Sequence, residues 1–289
     1  MRFLSYKKPD GQETWGALDG HRVTDLKHQA PNLREAIATS QLAASAKAQA
    51  VSYALDDISF LPVIGDPPKI ICVAGNYEAH LKEAGFTTPP KPRIFTRFSN
   101  SQVAHSQAMV RPTVSEQFDY EGELAVIIKK AGRHISKSEA MSYVAGYSCY
   151  NDGSIRDWQS HSTQYTAGKN FWRTGAFGPW MVTPDEAGDI NKWSMATRLN
   201  GEEVQKTSIG DMVLDVAALI AYCSVFTPLE PGDVIVTGTP SGVGLFHKPP
   251  LWMKHGDTVE VEISGIGILR NPIVDEVSDV SKCETKVGT

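Results

Sequence analysis

Cysteine is scarce and carries no motif: the 289 residues hold four, Cys72, Cys149, Cys223 and Cys283, and none stands in a C-x-x-C spacing. That argues against a zinc ribbon or a dithiol redox site, and the four read as reduced, mostly buried thiols. Basic residues are also in the minority. There are 28 Lys and Arg against 33 Asp and Glu, a net charge of -5, and no basic run offsets it. Such a balance argues against an electrostatic footprint for nucleic acid or for an anionic membrane. Long apolar runs are missing as well. The longest, Val216 to Phe226, is far too short to cross a bilayer, and Met1 to Lys8 lacks the apolar core of a secretion signal. These absences lead to the expectation of a soluble, cytoplasmic protein. Repeats and low-complexity tracts are absent apart from an Ala-rich patch at Leu42 to Ala50. What remains is an ordinary globular composition, 41% hydrophobic and 21% charged, with length enough for one large domain and a smaller companion.

One stretch breaks this ordinary pattern. Phe118-Asp119-Tyr120-Glu121-Gly122-Glu123 runs directly into Leu124-Ala125-Val126-Ile127-Ile128. Alternate side chains of a strand share a face, so Glu121 and Glu123 project side by side, in register with Ala125 and Ile127. The apolar run reads as a buried strand, where an ionised carboxylate costs several kcal/mol unless something compensates it. Two at neighbouring positions need a shared proton or a cation. Hard oxygen donors of this kind suit Mg2+, Mn2+ or Ca2+ rather than a thiolate-seeking metal. The alternative is an edge strand with both glutamates in solvent. Glu260 and Glu262 give the contrasting case, alternating with Val259, Val261 and Ile263 as in a strand with one wet face.

In chain order, residues 1–66 read as a small N-terminal α+β unit and 67–289 as a larger domain, with Leu61 to Pro68 as a Pro-rich junction. The unit opens with a strand at Met1 to Tyr6 and a hairpin turning at Asp19-Gly20, and a helix is expected from Asn32 to Leu55, broken near Ser40. Beyond the junction, Lys69 to Ala74 is a strand leading to a two-turn helix, Tyr77 to Ala84, with Asn76 as N-cap and Gly85 as terminator. On that helix His80 and Glu83 stand at i and i+3, a spacing that lets the carboxylate hold the imidazole, though a plain surface pair would look the same. Thr87 to Pro92 is expected to be a loop that closes over whatever the helix faces. Ser136 to Glu139 forms a capping box that predicts a helix to Ala145. Asp152 follows a strand, Gly146 to Asn151, at a place that suits either a functional carboxylate or a helix N-cap. Arg156 and Gln159 share a helix face beyond it. Lys169 sits in a glycine-flanked loop, and as a lone residue it reads as a solvated lysine. Asp215 to Phe226 is a helix with a core stripe of Val216, Leu219, Ile220 and Cys223. Gly238 to Gly244 is a glycine-rich loop without the Gly-Lys-Ser/Thr ending of a phosphate loop, whose backbone amides and Thr239 hydroxyl are suited to a carboxylate.

Five of these motifs occur together and in order: Asn76-Tyr77-x-x-His80-x-x-Glu83, Asp119-Tyr120-Glu121-x-Glu123-Leu124, Asn151-Asp152-x-Ser154-x-Arg156-Asp157-x-Gln159, Gly168-Lys169 and Gly238-Thr239-Pro240-x-Gly242-Val243-Gly244. Across about Lys69 to Asp275 the chain resembles the fumarylacetoacetate hydrolase family. The resemblance implies an α+β, strand-rich fold, a mixed β-sheet catalytic domain after a small N-terminal domain, and a homodimer. It implies Mg2+ or Mn2+ on Glu121, Glu123 and Asp152, with Ca2+ as a substitute. His80 and Glu83 would handle a proton or activate water, Lys169 would stabilise negative charge, and Tyr77, Arg156, Gln159 and Thr239 would contact a small oxo-acid substrate. Members cleave carbon-carbon bonds of acylpyruvates and β-diketo acids, isomerise or tautomerise oxo-diacids, or decarboxylate them. The expectation placed first is hydrolysis of a 2,4-dioxo acid, with isomerisation, tautomerisation or decarboxylation as alternatives and a catalytically silent metal-binding protein as a different class. Asn170 to Gly175 departs from the family pattern, and Arg173 within it is either a substrate clamp or a surface residue.

Overall fold

The computed structural model describes residues 1–42, 51–88 and 91–277; Cys283 and most of the Ala-rich patch lie outside them. A 12-stranded mixed sheet forms the frame, and from the N-terminal strand to one edge it runs Arg2–Lys7, Gly175–Val182, Val144–Asn151, Gly122–Ile128, Val234–Val236, Ile70–Ala74, Arg93–Arg97. The N-terminal hairpin, Glu13–Asp19 and Arg22–Asp25, extends this sheet because Arg2 and Phe3 pair with Val182 and Met181. A second sheet of five strands contains Ser194–Leu199, Glu202–Ser208 and Thr258–Ile263.

Gly122–Ile128 is buried along its whole length, which explains its lack of polar alternation. Leu124, Val126 and Ile128 enter one core cluster with Val259, Val261 and Leu219, while Ala125 and Ile127 enter another with Phe3, Trp15 and Phe177. The register then positions the polar ends. Gly122 pairs with Asn151 and Ala125 with Val236, so Glu121 and Glu123 emerge beside Asp152 and beside the loop that begins after Val236.

Several sequence expectations hold. The helix Val216–Phe226 buries Val216, Leu219, Ile220 and Cys223, capped by Asp215, and Asn200-Gly201 is a tight turn with both residues at positive φ. Others need correction. Of the helix expected from Asn32 to Leu55, Leu33–Ala38 forms and the expected break near Ser40 is present, that residue being at positive φ; 43–50 lie outside the described residues, and the far end is corrected, because Ser52–Ala54 is a strand paired to Arg22–Thr24. Ser136 does bond Glu139 at 2.7 Å, but only a 3-10 turn, Ala140–Tyr143, follows, because Val144 is already paired in the sheet with Ile128. Among the described residues no helix is long and apolar enough to cross a membrane.

Candidate active site

Glu121, Glu123 and Asp152 converge: one oxygen from each lies within 4.8 Å of the others, and all three residues are buried. Glutamates in solvent on an edge strand are therefore excluded. Asp152 is not a helix cap either, since Arg156–Gln159 starts after Ile155 with no side-chain cap. Its carboxylate instead accepts from Arg97 at 2.5 Å and from Lys169 at 2.7 Å. Lys169 is not solvated but 1% exposed, and its Nζ bridges Asp152 and Glu121 at 2.7 Å each. Arg156 reaches Glu121 at 2.6 Å and Asp119 at 2.7 Å.

Four buried carboxylates thus face three buried cations, and the unmatched acid is Glu123, which accepts only a backbone amide, that of Gly238. The titration directions agree. Burial alone would raise Glu121, but Lys169 and Arg156 hold it at about 2. Burial, Asp152 and Glu121 push Glu123 well above the usual carboxylate range. Burial would lower Lys169, yet Asp152 and Glu121 reverse that and keep it an ammonium. A compact set of three carboxylate oxygens short of one positive charge fits a hard divalent cation and leaves a net positive centre when one is bound.

The proton-handling arm comes from the helix Glu78–Glu83. His80 Nδ1 lies 3.2 Å from Glu83 Oε2, and the Glu83 carboxylate in turn accepts the Gly242 amide at 3.0 and 3.2 Å. His80 Nε2 has no hydrogen-bond partner among the described residues. Asn76 is not the N-cap, which is Tyr77 without a side-chain bond; Asn76 instead donates to Leu214 and Thr237 carbonyls and accepts the Leu214 amide, pinning the helix to two other segments. The glycine-rich loop does bind carboxylates, and they belong to the chain itself: Gly238 takes Glu123, Gly242 takes Glu83, and the amides of Gly244 and Leu245 take Asp119 at 2.7 and 3.0 Å. Gly242 has no substitute here, with φ +96 and the Val204 carbonyl 2.1 Å from where a Cβ would stand.

A cavity of about 370 Å³ opens over this arrangement. His80, Glu121, Glu123, Arg156, Gln159, Lys169 and Thr239 line it. Asp152 and Tyr77 are buried and not part of its lining, and the Tyr77 hydroxyl has no hydrogen-bond partner among the described residues. Gln159 accepts from Arg156 at 2.9 Å and so orients it. The Thr239 hydroxyl donates to the Gly122 carbonyl at 3.0 Å and accepts from the Gln205 amide at 2.9 Å, which leaves it one lone pair for a ligand. Arg173 is outside the cavity, its guanidinium 5.1 Å from the ring centre of Trp172. Sequence reading missed Arg97 and Asp119. Arg97 carried a usable signal, a second arginine closing the short strand Arg93–Arg97 around Ile94 and Phe95, while Asp119 stood in one of the five motifs without a role.

The chain matches the fumarylacetoacetate (FAA) hydrolase C-terminal family over residues 69–274. It is 36% identical over 287 residues to the oxaloacetate tautomerase Fahd2a, mitochondrial, of Rattus norvegicus, covering 95% of this chain and 92% of that one. Among solved structures it superposes on the fumarylacetoacetate hydrolase of Exiguobacterium antarcticum with a TM-score of 0.86 and 34% identity, over 96% of this chain and 100% of the other. It also superposes on the 2-hydroxyhepta-2,4-diene-1,7-dioate isomerase of Mycobacterium marinum, with a TM-score of 0.80 and 29% identity over 96% and 99%. With the motifs assembled at one cavity and the match extending over most of its length, this chain belongs to the fumarylacetoacetate hydrolase family.

Proposed function

We propose that the protein is a Mg2+- or Mn2+-dependent tautomerase that interconverts the keto and enol forms of a 2-oxo dicarboxylic acid of the oxaloacetate type. One observation carries this reading: an acid/base pair, His80 held by Glu83, stands on the wall of a cavity whose floor, Glu123 apart, is locked in ion pairs. The relative named an oxaloacetate tautomerase, matched over nearly the whole chain, supports it.

Glu121, Glu123 and Asp152 would hold the metal, which supplies positive charge to the oxygens of the 2-oxo acid head. Lys169 and Arg156 add fixed positive charge beside that head. His80 Nε2 removes a proton from C3, the C3–H electron pair becomes the C2–C3 double bond, and the carbonyl pair moves onto the C2 oxygen. The same imidazolium then gives its proton to that oxygen, so the enol forms, no water is consumed and His80 is restored. Glu83 stabilises the imidazolium through Nδ1, and Gly242 keeps Glu83 in place.

Following the loss of enol absorbance of oxaloacetate in the presence of Mg2+ tests the reading. His80→Ala is expected to lower the rate by about 10^2- to 10^4-fold while leaving Mg2+ affinity intact. An unchanged rate rejects the role of His80. Hydrolysis is the second reading, supported by the neighbour named a fumarylacetoacetate hydrolase: there His80 deprotonates water, which attacks the remote carbonyl of a 2,4-dioxo acid. Product analysis with 2,4-dioxopentanoate separates the two, since only hydrolysis yields pyruvate and acetate.

A further inference from the structure

We propose that Arg93 sets the substrate class of this cavity: its guanidinium receives the distal carboxylate of a dicarboxylic acid whose 2-oxo acid head lies at Glu121, Glu123 and Asp152. This rests on the reading of the cavity as a 2-oxo acid site.

The first argument is charge. Arg97, Arg156 and Lys169, the other cations at the site, each hold at least one carboxylate within 2.7 Å. Arg93 lines the same cavity and forms no ion pair among the described residues; its guanidinium carbon lies 4.6 Å from the ring centre of Phe86. A guanidinium packed against a ring makes no hydrogen bond there and keeps its N–H donors for a planar anion, which it can grip through two parallel hydrogen bonds.

The second argument is position. Arg93, Phe95 and Arg97 alternate onto one face of the strand Arg93–Arg97. Arg97 touches Asp152 at the inner end, Phe95 lies 5.0 Å from Lys169 Nζ at mid-length, and Arg93 follows about 7 Å farther along the strand, toward the Phe86 side. The strand is thus a ruler with the acid-binding floor at one end and an unclaimed cation at the other. Phe86 connects that cation to the chemistry, because its amide is bonded to the Leu81 carbonyl on the helix that carries His80. A ligand that occupies Arg93 therefore also fixes the segment that presents the base.

The test is calorimetric binding to Mg2+-loaded protein of N-oxalylglycine, an unreactive oxo-acid mimic with a distal carboxylate, and of its glycine-end methyl ester, which lacks only that charge. Wild-type protein is expected to bind the diacid about 10- to 100-fold more tightly than the ester. In Arg93→Met the ratio should fall to within about threefold of one, and Arg93→Lys should recover part of it, a point charge without the fork. A ratio unchanged in Arg93→Met, a wild-type ratio near one, or no measurable binding of N-oxalylglycine overturns the assignment. A structural role alone would weaken both ligands equally. Failure of the proposed reaction is seen separately: no acceleration of oxaloacetate ketonisation, with the binding ratio intact, removes the tautomerase and leaves Arg93 as the carboxylate receptor.

Discussion

Replacing Glu123 by Gln should separate the electrostatics of the metal-free protein from those of the loaded one, with opposite signs. Glu123 is 2% exposed, within 4.8 Å of two other carboxylates, and lacks the cation partners that Glu121 and Asp152 have. A Gln at this position keeps the acceptor for the Gly238 amide and removes the repulsion. Because the folded-state pKa of Glu123 is raised, by burial first and then by Asp152 and Glu121, the stability linked to it is full below the unfolded carboxylate pKa and lost as pH rises through the folded value, so above the unfolded pKa this carboxyl works against the fold. The metal-free variant at pH 7.5 should therefore melt no lower than the wild type. With Mg2+ the order reverses. At a metal concentration 100 times Kd the wild type gains about 2.7 kcal/mol, and a domain of this size moves by about 2–4 °C per kcal/mol, so its Tm should rise by about 5–11 °C. A hundredfold loss of affinity leaves the variant with about 0.4 kcal/mol, a rise of about 1 °C. Thermal unfolding with EDTA and with Mg2+ reads both quantities. A variant that keeps the full metal-induced rise would refute Glu123 as a ligand, and one that melts several degrees lower in EDTA would refute the repulsion.

Two further outcomes follow from buried groups. Arg97→Met leaves Asp152 short of a partner and strands the Gly153 carbonyl, and urea unfolding should show a loss of about 3–5 kcal/mol; a loss below about 1 kcal/mol would mean that Lys169 alone satisfies Asp152. His105 accepts the Arg270 amide through Nδ1 and is pushed down to about 4, by burial first and Arg270 second. The unfolded chain binds its proton near 6.5 and the folded chain does not, so stability should fall as pH drops from 6.5 toward 4, by up to about 1.4 kcal/mol per unit. His105→Phe should flatten that slope, and an unchanged slope assigns it to another group.

The residues that carry chemistry were legible because they violate local patterns: two acids at the head of an apolar strand, a His and a Glu one helical turn apart, a glycine loop without a phosphate signature. What holds them was not. Arg97 and Asp152 are 55 residues apart, and Asp119 reaches amides 125 and 126 positions on, so no local spacing announces either contact. The expected helix to Leu55 failed for a related reason, since pairing of Ser52–Ala54 with Arg22–Thr24 overrides helix propensity there. The capping box at Ser136 formed its side-chain bond and still lost its helix to the sheet pairing of Val144. Asn76 shows the same limit, being read as a cap where it is a cross-brace.

Because Gly238, Gly242 and Gly244 each grasp a different acid, one short loop fixes the spacing between the ion-holding end and the proton-moving end of the cavity. Arg93 belongs to another strand and takes no part in that grip. Reach toward a substrate's tail can thus drift in evolution while the reaction centre stays in tune, which is how one scaffold could serve a range of organic acids.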